Sequence, residues 1–432
     1  MSDIIKPVPL AEGAKSNSFL DKIAQFTIGN SRGELPSKEA GAAEQTSPAE
    51  PLTKWQRLKL HYGRFWICYL ILLIVGLAIL LPILLIFIIP AIAQDLLNSG
   101  SIVIDAASIL QPTSASVLLN ISSHVYVPGP FTVKTDPLQL QIFVPQTGSD
   151  YLMATLNMPA NSIHKNTSMN MDGSQFTPFE NYTSWQAFVH NTIFLDDGGL
   201  GLKGHVGTQL GQIKKFNLDI NKVAPSKALN QFKGFSIDSA RLLLPAESDG
   251  TNLLANATLP NQSVLTLEIG NTTVDILSGN LIIATGLIEN LYLTPGNNSF
   301  SIRGKANLTN LIANIGEVLT YQGPYIRDGK LSLTTKVTNI KYNSSTVPYY
   351  TEEMGKLHLT AQTPLIGLLL NTITGLLQGS GLNSTLVQEV KDKLHGDHGN
   401  LQSQLGDLVD NSTELESLTR RHLEDLVILS GQ

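Results

Sequence analysis

Cysteine is nearly absent. The single Cys68 in 432 residues excludes an intramolecular disulfide framework and any cysteine-rich zinc site. Charge is scarce as well: charged residues make up 15% of the chain, against about 25% in an ordinary soluble domain. The net charge of −6 argues against a nucleic-acid-binding surface. Aromatic residues reach only 6%. No G-x-S-x-G, H-E-x-x-H or P-loop pattern occurs, so no catalytic signature can be assigned from motifs, and no cofactor is expected. What is present is 42% apolar residues, enough for real cores, with 35 glycines and many Asn and Thr. That balance favours β-structure with frequent turns.

A charge-free and mostly apolar stretch runs from Phe65 to Gln94, thirty residues between Arg64 and Asp95. About 20 apolar residues suffice for a helix to cross the hydrocarbon of a bilayer, so this stretch predicts one transmembrane helix. Pro82 lies mid-span and Pro90 near its far end. Lys54, Arg57, Lys59 and Arg64 precede the span, while Asp95 and Asp105 follow it. The positive-inside rule then puts the N-terminus in the cytosol. The apolar run is too long, and its basic flank too far from Met1, for a cleaved signal peptide, so it reads as an uncleaved type II signal anchor.

Eleven N-x-[ST] sequons begin at Asn120, Asn166, Asn181, Asn256, Asn261, Asn271, Asn297, Asn307, Asn343, Asn383 and Asn411. All follow the span. This one-sidedness agrees with a glycosylated lumenal or extracellular face, although an Asn/Ser/Thr-rich β-domain also generates sequons by accident.

The expected fold class is mainly β: a single N-terminal transmembrane helix, then two tandem β-sandwich-like domains and C-terminal helices. The boundaries read as a disordered cytosolic tail (1–53), a basic juxtamembrane segment (54–64), the anchor (65–92), a first lumenal β-domain (93–230), a second (231–345), and a C-terminal apolar and amphipathic helical section (346–432). Ser116–Ser122 reads as a strand, and Leu138, Leu140, Ile142 and Val144 alternate with period two, as do Leu331, Leu333 and Val337. An internal repeat supports the tandem: at an offset of 136 residues, Asn120 falls on Asn256, Pro159 on Pro295 and Asn161 on Asn297.

Other patterns carry less. Gly199–Gly204 fits G-x-G-x-x-G, but no βαβ context surrounds it and it reads as a Gly-rich turn between strands. His395 and His398 lack the further ligands that a zinc site needs. Cys68 is a candidate for palmitoylation or simply an apolar cysteine. Leu365, Leu368, Leu369 and Leu370 form an apolar segment that has to be covered by something, and are candidate contacts for lipid or a partner.

Taken together, the anchor at Phe65–Ile92, the sequon-rich repeats, LYLTPGNNSFSIRG (Leu291–Gly304) and its weaker partner LNMPANSI (Leu156–Ile163) resemble a family of fungal single-span proteins of uncharacterised function. Their exterior consists of late-embryogenesis-abundant-like β-sandwiches, and one member class is a vacuolar-membrane protein that acts in terminating autophagy. The resemblance implies a vacuolar or other endomembrane location, with the plasma membrane left open, and transfers no catalytic residue. Three functions stay in view. The first is a membrane-anchored lumenal binding or scaffold protein that is not an enzyme. The second is a lipid-binding or lipid-transfer β-domain. The third is a lumenal hydrolase working through dispersed residues. The expected partners are membrane lipids through the anchor and a lumenal protein or lipid, with no nucleic acid. A continuous apolar cavity would favour lipid handling; filled cores would favour a scaffold.

Overall fold

A computed structural model describes residues 54–371 apart from 129–131, 211–214, 244, 366, 369 and 370. The expectations placed on residues 1–53 and 372–432, including Asn383, Asn411 and the His395/His398 pair, lie outside the described residues. The chain forms two compact units, Met1–Ile89 and Pro90–Gln432.

In the first unit, α1 (Lys54–Ile83) is followed by a π-helical turn, Leu84–Ile88. Pro82 lies inside α1, and proline removes one main-chain donor from the ladder. A wider turn just beyond it is a common way for a helix to absorb that loss. From Phe65 to Ile88 no charge interrupts the helix and its side chains are exposed, Cys68 among them, with Ile67 half-buried. Measured from His61 to Ser99, the chain has one helical stretch among the described residues that is long and apolar enough to cross a membrane. Helical geometry continues beyond Ile92 as α2 (Ile89–Ser99), with Pro90 just after the π-helical turn.

In the second unit the strands are β1 (Ser101–Leu110), β2 (Ser116–Tyr126), β3 (Thr132–Thr135), β4 (Leu138–Phe143), β5 (Leu152–Met158), β6 (Asn161–His164), β7 (Asn166–Asn170) and β8 (Gln175–Pro178). Helix α3 (Tyr182–Phe194), β9 (Asp197–Leu210) and β10 (Phe216–Lys227) follow. After a 3₁₀ turn at Asn230–Phe232 come β11 (Ser236–Leu242), β12 (Leu253–Asn261), β13 (Leu265–Ser278), β14 (Leu281–Leu293) and β15 (Gly296–Ala306). Helices α4 (Leu308–Ala313) and α5 (Ile315–Arg327), β16 (Lys330–Tyr342), β17 (Ser345–Thr346), α6 (Pro348–Met354) and β18 (Leu359–Pro364) complete it.

Strand pairing repeats. In the first half β1 pairs with β2, β2 with β7 and β8, β4 with β5 and β9, and β9 with β10. In the second half β11 pairs with β12, β12 with β15, β13 with β14 and β16, and β16 with β18. Helices occupy the same place in both, between the strand pairs β8/β9 and β15/β16. Asn120 and Asn256 sit on the equivalent strands β2 and β12. The prolines do not correspond. Pro159 interrupts one long strand, since β5–β6 runs antiparallel to β3–β4 in a single register (Leu138↔Met158, Thr135↔Asn161), whereas Pro295 lies in the turn between β14 and β15. The halves are fused. β1 pairs in parallel with β13 through Ala107↔Leu265 and Ile109↔Leu267, so one twelve-stranded sheet crosses both. β18 extends that sheet past residue 345, into the section expected to be helical.

Gly199–Gly204 lies within β9 and is not a turn. A Cβ on Gly201 would stand 2.3 Å from the Phe143 ring, so glycine is what lets that ring lie against the strand.

Candidate functional site

The two sheets of the first repeat do not fill the space between them. A cavity of about 100 Å³ separates β1, β2 and β7 from β3–β6, β9 and β10. Strand alternation supplies its walls: Val125 from β2, Met169 from β7, Leu138 and Leu140 from β4, Met158 from β5, Ile163 from β6, and Leu202 and Val206 from β9 all point inward. Its end is formed by α2, whose Ala93, Leu96 and Leu97 fall at i, i+3 and i+4 and so share one face of the helix.

The position of α2 is fixed by polar contacts. The Gln94 side chain donates to the Asp219 carbonyl at 2.8 Å and accepts from the Asp219 N–H at 3.0 Å, in the manner of one more strand residue on the edge of β10. Lys222 Nζ caps the helix C-terminus by donating to the carbonyls of Asn98 and, at 2.8 Å, Gly100.

Among the described residues no ionisable side chain lines the cavity. Its polar atoms are three hydroxyls tied to main-chain carbonyls: Ser123 to Met169 at 3.0 Å, Thr135 to Asn161 at 3.3 Å, and Thr208 to Phe216 at 3.1 Å. Among the described residues no group of three or more His, Cys, Asp or Glu side chains could hold a metal ion. In the second repeat a space of about 30 Å³ lies between Leu259, Val274, Ile288, Leu291, Ile302 and Val337.

The residues singled out in the sequence are scattered. Leu368 packs against the main core, and the Leu365 N–H donates to the Gly329 carbonyl at 2.9 Å. Leu369 and Leu370 lie outside the described residues. Of the sequons, Asn166, Asn181, Asn256, Asn271, Asn297, Asn307 and Asn343 are exposed and Asn120 half-buried. Asn261 is different: it is 2% exposed, its Oδ1 accepts from the Ser263 N–H and hydroxyl at 2.9 and 2.6 Å, and its Nδ2 donates to the Leu265 carbonyl at 2.7 Å. It has no room for a glycan in the folded protein. The cavity residues had no motif to mark them. Their alternation announces an inward direction but not the volume left between them.

The fold thus defines a mainly β protein with one membrane-length helix and a duplicated β-sandwich. Residues 151–276 match a family described as a protein of unknown function (DUF3712). Among solved structures, the chain is similar to a bacterial adhesin from Mobiluncus mulieris containing intramolecular disulfide, isopeptide and ester bond cross-links, at 8% identity over 55% of this chain and 80% of that one, with a TM-score of 0.15. It is also similar to the periplasmic chaperone SfaE, at 10% identity over 60% of this chain and 99% of that one, with a TM-score of 0.14. Neither likeness bears on function at such scores. No curated protein matches the chain.

Proposed function

We propose that the protein is a type II membrane protein of an endomembrane, the vacuolar membrane being the one the sequence resemblance implies. On this reading its lumenal, glycosylated unit binds the apolar end of a lipid-like ligand in the cavity of the first repeat. One observation carries the reading: an apolar space of about 100 Å³ between the sheets of the first repeat, against about 30 Å³ between the described core residues of the second. Position supports it. Ala93, in the cavity wall, is three residues from Pro90, so the main chain alone keeps the two within about 11 Å. At about 100 Å³ the cavity is smaller than the ~150 Å³ apolar hole that admits benzene, and it takes a few methylenes at a time. Met158 and Met169, unbranched with three rotatable bonds, can shift to make more room. Each methylene buried contributes about 0.8 kcal/mol. Its wall offers apolar side chains and three hydroxyls already tied to main-chain carbonyls, a lining suited to holding an acyl chain.

The test is saturable binding of a fatty acid carrying an environment-sensitive fluorophore to the full-length protein in detergent. The expected result is one site per chain, lost when Ala93→Phe and Leu140→Phe fill the cavity and kept in Ile288→Leu, a change in the second repeat. Equal binding by the filled variant, at an unchanged unfolding midpoint, sinks the reading.

A further inference from the structure

The outward face of the first repeat carries a second feature. Asp105 on β1, His124 on β2 and Ser168 on β7 stand side by side there. His124 Nδ1 hydrogen-bonds the Asp105 carboxylate, and His124 Nε2 lies 3.1 Å from Ser168 Oγ. Three properties of the sheet produce that line. A bulge between Ile104 and Ala106 breaks the β1–β2 register and puts Asp105 on the exposed face, beside His124. Ser168 and His124 are register partners. The main-chain bonds Val127 N–H to Lys165 and Met171 N–H to Ile121 set the alternation, making His124·Ser168 a non-hydrogen-bonded pair, the kind whose side chains come closest. The same alternation turns the Ser168 N–H away from β2, towards the side of β7 on which no described strand pairs.

We propose that Asp105, His124 and Ser168 form a nucleophile site that cleaves carboxylic esters presented from solution. Asp105 accepts the Nδ1 proton and so leaves Nε2 as the acceptor facing Ser168. Ser168 Oγ bonds to the ester carbonyl carbon while its proton passes to Nε2, and the Ser168 N–H faces the oxyanion. Collapse breaks the bond to the alcohol oxygen, which leaves with the proton from Nε2. Water then attacks the acyl-serine and gives its proton to Nε2; Oγ departs and takes that proton back. The balance is ester plus water to acid plus alcohol. Ser123 and Met169, the sequence neighbours of His124 and Ser168, point the other way into the cavity, so the sheet separates this site from the lipid site. Asp105 is a positioning residue; His124 and Ser168 are the catalytic ones.

Ser168 also completes the sequon Asn166-Thr167-Ser168, so the experiment has to separate nucleophile from glycan. Full-length protein in detergent is treated with a biotinylated fluorophosphonate, and the modified residue is mapped by mass spectrometry. One label is expected, on Ser168. It should be absent in Ser168→Ala, retained in Asn166→Gln, and formed at least about 100-fold more slowly in His124→Gln. Asp105→Asn should slow labelling and Asp105→Glu should restore most of it, at equal unfolding midpoints, a split that a merely structural carboxylate would not produce. The proposal is overturned if native protein labels no faster than heat-unfolded protein, if the label survives Ser168→Ala, or if His124→Gln labels at the unmodified rate.

Discussion

His190 Nδ1 lies 2.8 Å from Glu353 Oε2, and this contact fastens the helix of the first repeat, α3, to α6 of the second. Glu353 is buried, and its other oxygen accepts from Gln186 Nε2 at 3.0 Å and from Lys356 Nζ at 2.7 Å. The parallel β1·β13 pair and this carboxylate shared between helices both join the duplicated halves.

That carboxylate makes stability depend on pH. Burial by itself pushes the Glu353 carboxyl up, but hydrogen bonds from Lys356, His190 and Gln186 outweigh it and hold the group below its ordinary value. A carboxyl lowered in the folded state contributes stability above its unfolded value, about 4.3, and loses it as pH falls through the folded value. Thermal unfolding of the full-length protein between pH 7 and pH 3 should show a midpoint that drops below about pH 4.5, and Glu353→Gln should flatten that drop. The substitution should cost about 1–3 kcal/mol at pH 7, since it weakens hydrogen bonds to a charged group while the partners left behind, Lys356 and His190, stay half exposed to water. A variant whose pH profile matches the unmodified protein would refute the role.

On the same helix, the Tyr350 hydroxyl is buried and has no hydrogen-bond partner among the described residues. A buried, unpaired polar group costs free energy that its removal recovers. Tyr350→Phe should therefore leave the unfolding midpoint unchanged or raise it, by up to about 1 kcal/mol in stability. A loss above about 1 kcal/mol, seen by denaturant titration, would reveal a bonded partner such as an internal water.

The sequons divide by geometry. Asn343 sits exposed in the turn after β16 with φ +46°, whereas Asn261 spends both side-chain atoms on its own turn. If the larger unit faces the lumen, Asn343→Gln should increase electrophoretic mobility by one glycan and Asn261→Gln should not. Asn261→Ala should instead destabilise by about 1–3 kcal/mol, because it strands main-chain donors and acceptors. A glycan found on Asn261 would contradict the buried turn that joins β12 to β13.

Much of this architecture was legible in the residues. The charge gap from Phe65 to Gln94 marks the helix, and the alternation of Leu138, Leu140 and Ile142 marks β4 with the correct buried face. In β16 the same reasoning finds one packed face, with Val337 buried and Leu333 against a small core cluster, but not that the other face is covered as well. Leu331 and Leu333 are half-buried while Ser332 is 1% exposed, because α5 covers that side and Gln322 satisfies both main-chain groups of Ser332 at 2.9 and 2.8 Å. Helix α3 was missed amid β-branched and aromatic residues, although Trp185, Phe188, Val189, Thr192 and Ile193 mark one helical face and Asn181 caps it. The cavity was beyond reach for a different reason. Its residues are ordinary inward-facing apolar side chains, and the space among them depends on how two sheets stand apart.

The last prediction concerns what closes that space. Gln94 is the one side chain of α2 that both donates to and accepts from the main chain of β10, at Asp219. Gln94→Glu keeps the size but removes the donor, setting a carboxylate against the Asp219 carbonyl, and should cost about 1–3 kcal/mol locally. The effect should be regional: faster amide hydrogen exchange in α2 and around residue 219, with the second repeat unchanged. Because α2 forms the end wall of the cavity, the same variant should release a bound acyl probe faster while the filled variant at Ala93 and Leu140 does not bind it at all. Unchanged exchange in α2 would mean that Lys222, through the carbonyls of Asn98 and Gly100, holds the helix without help from Gln94.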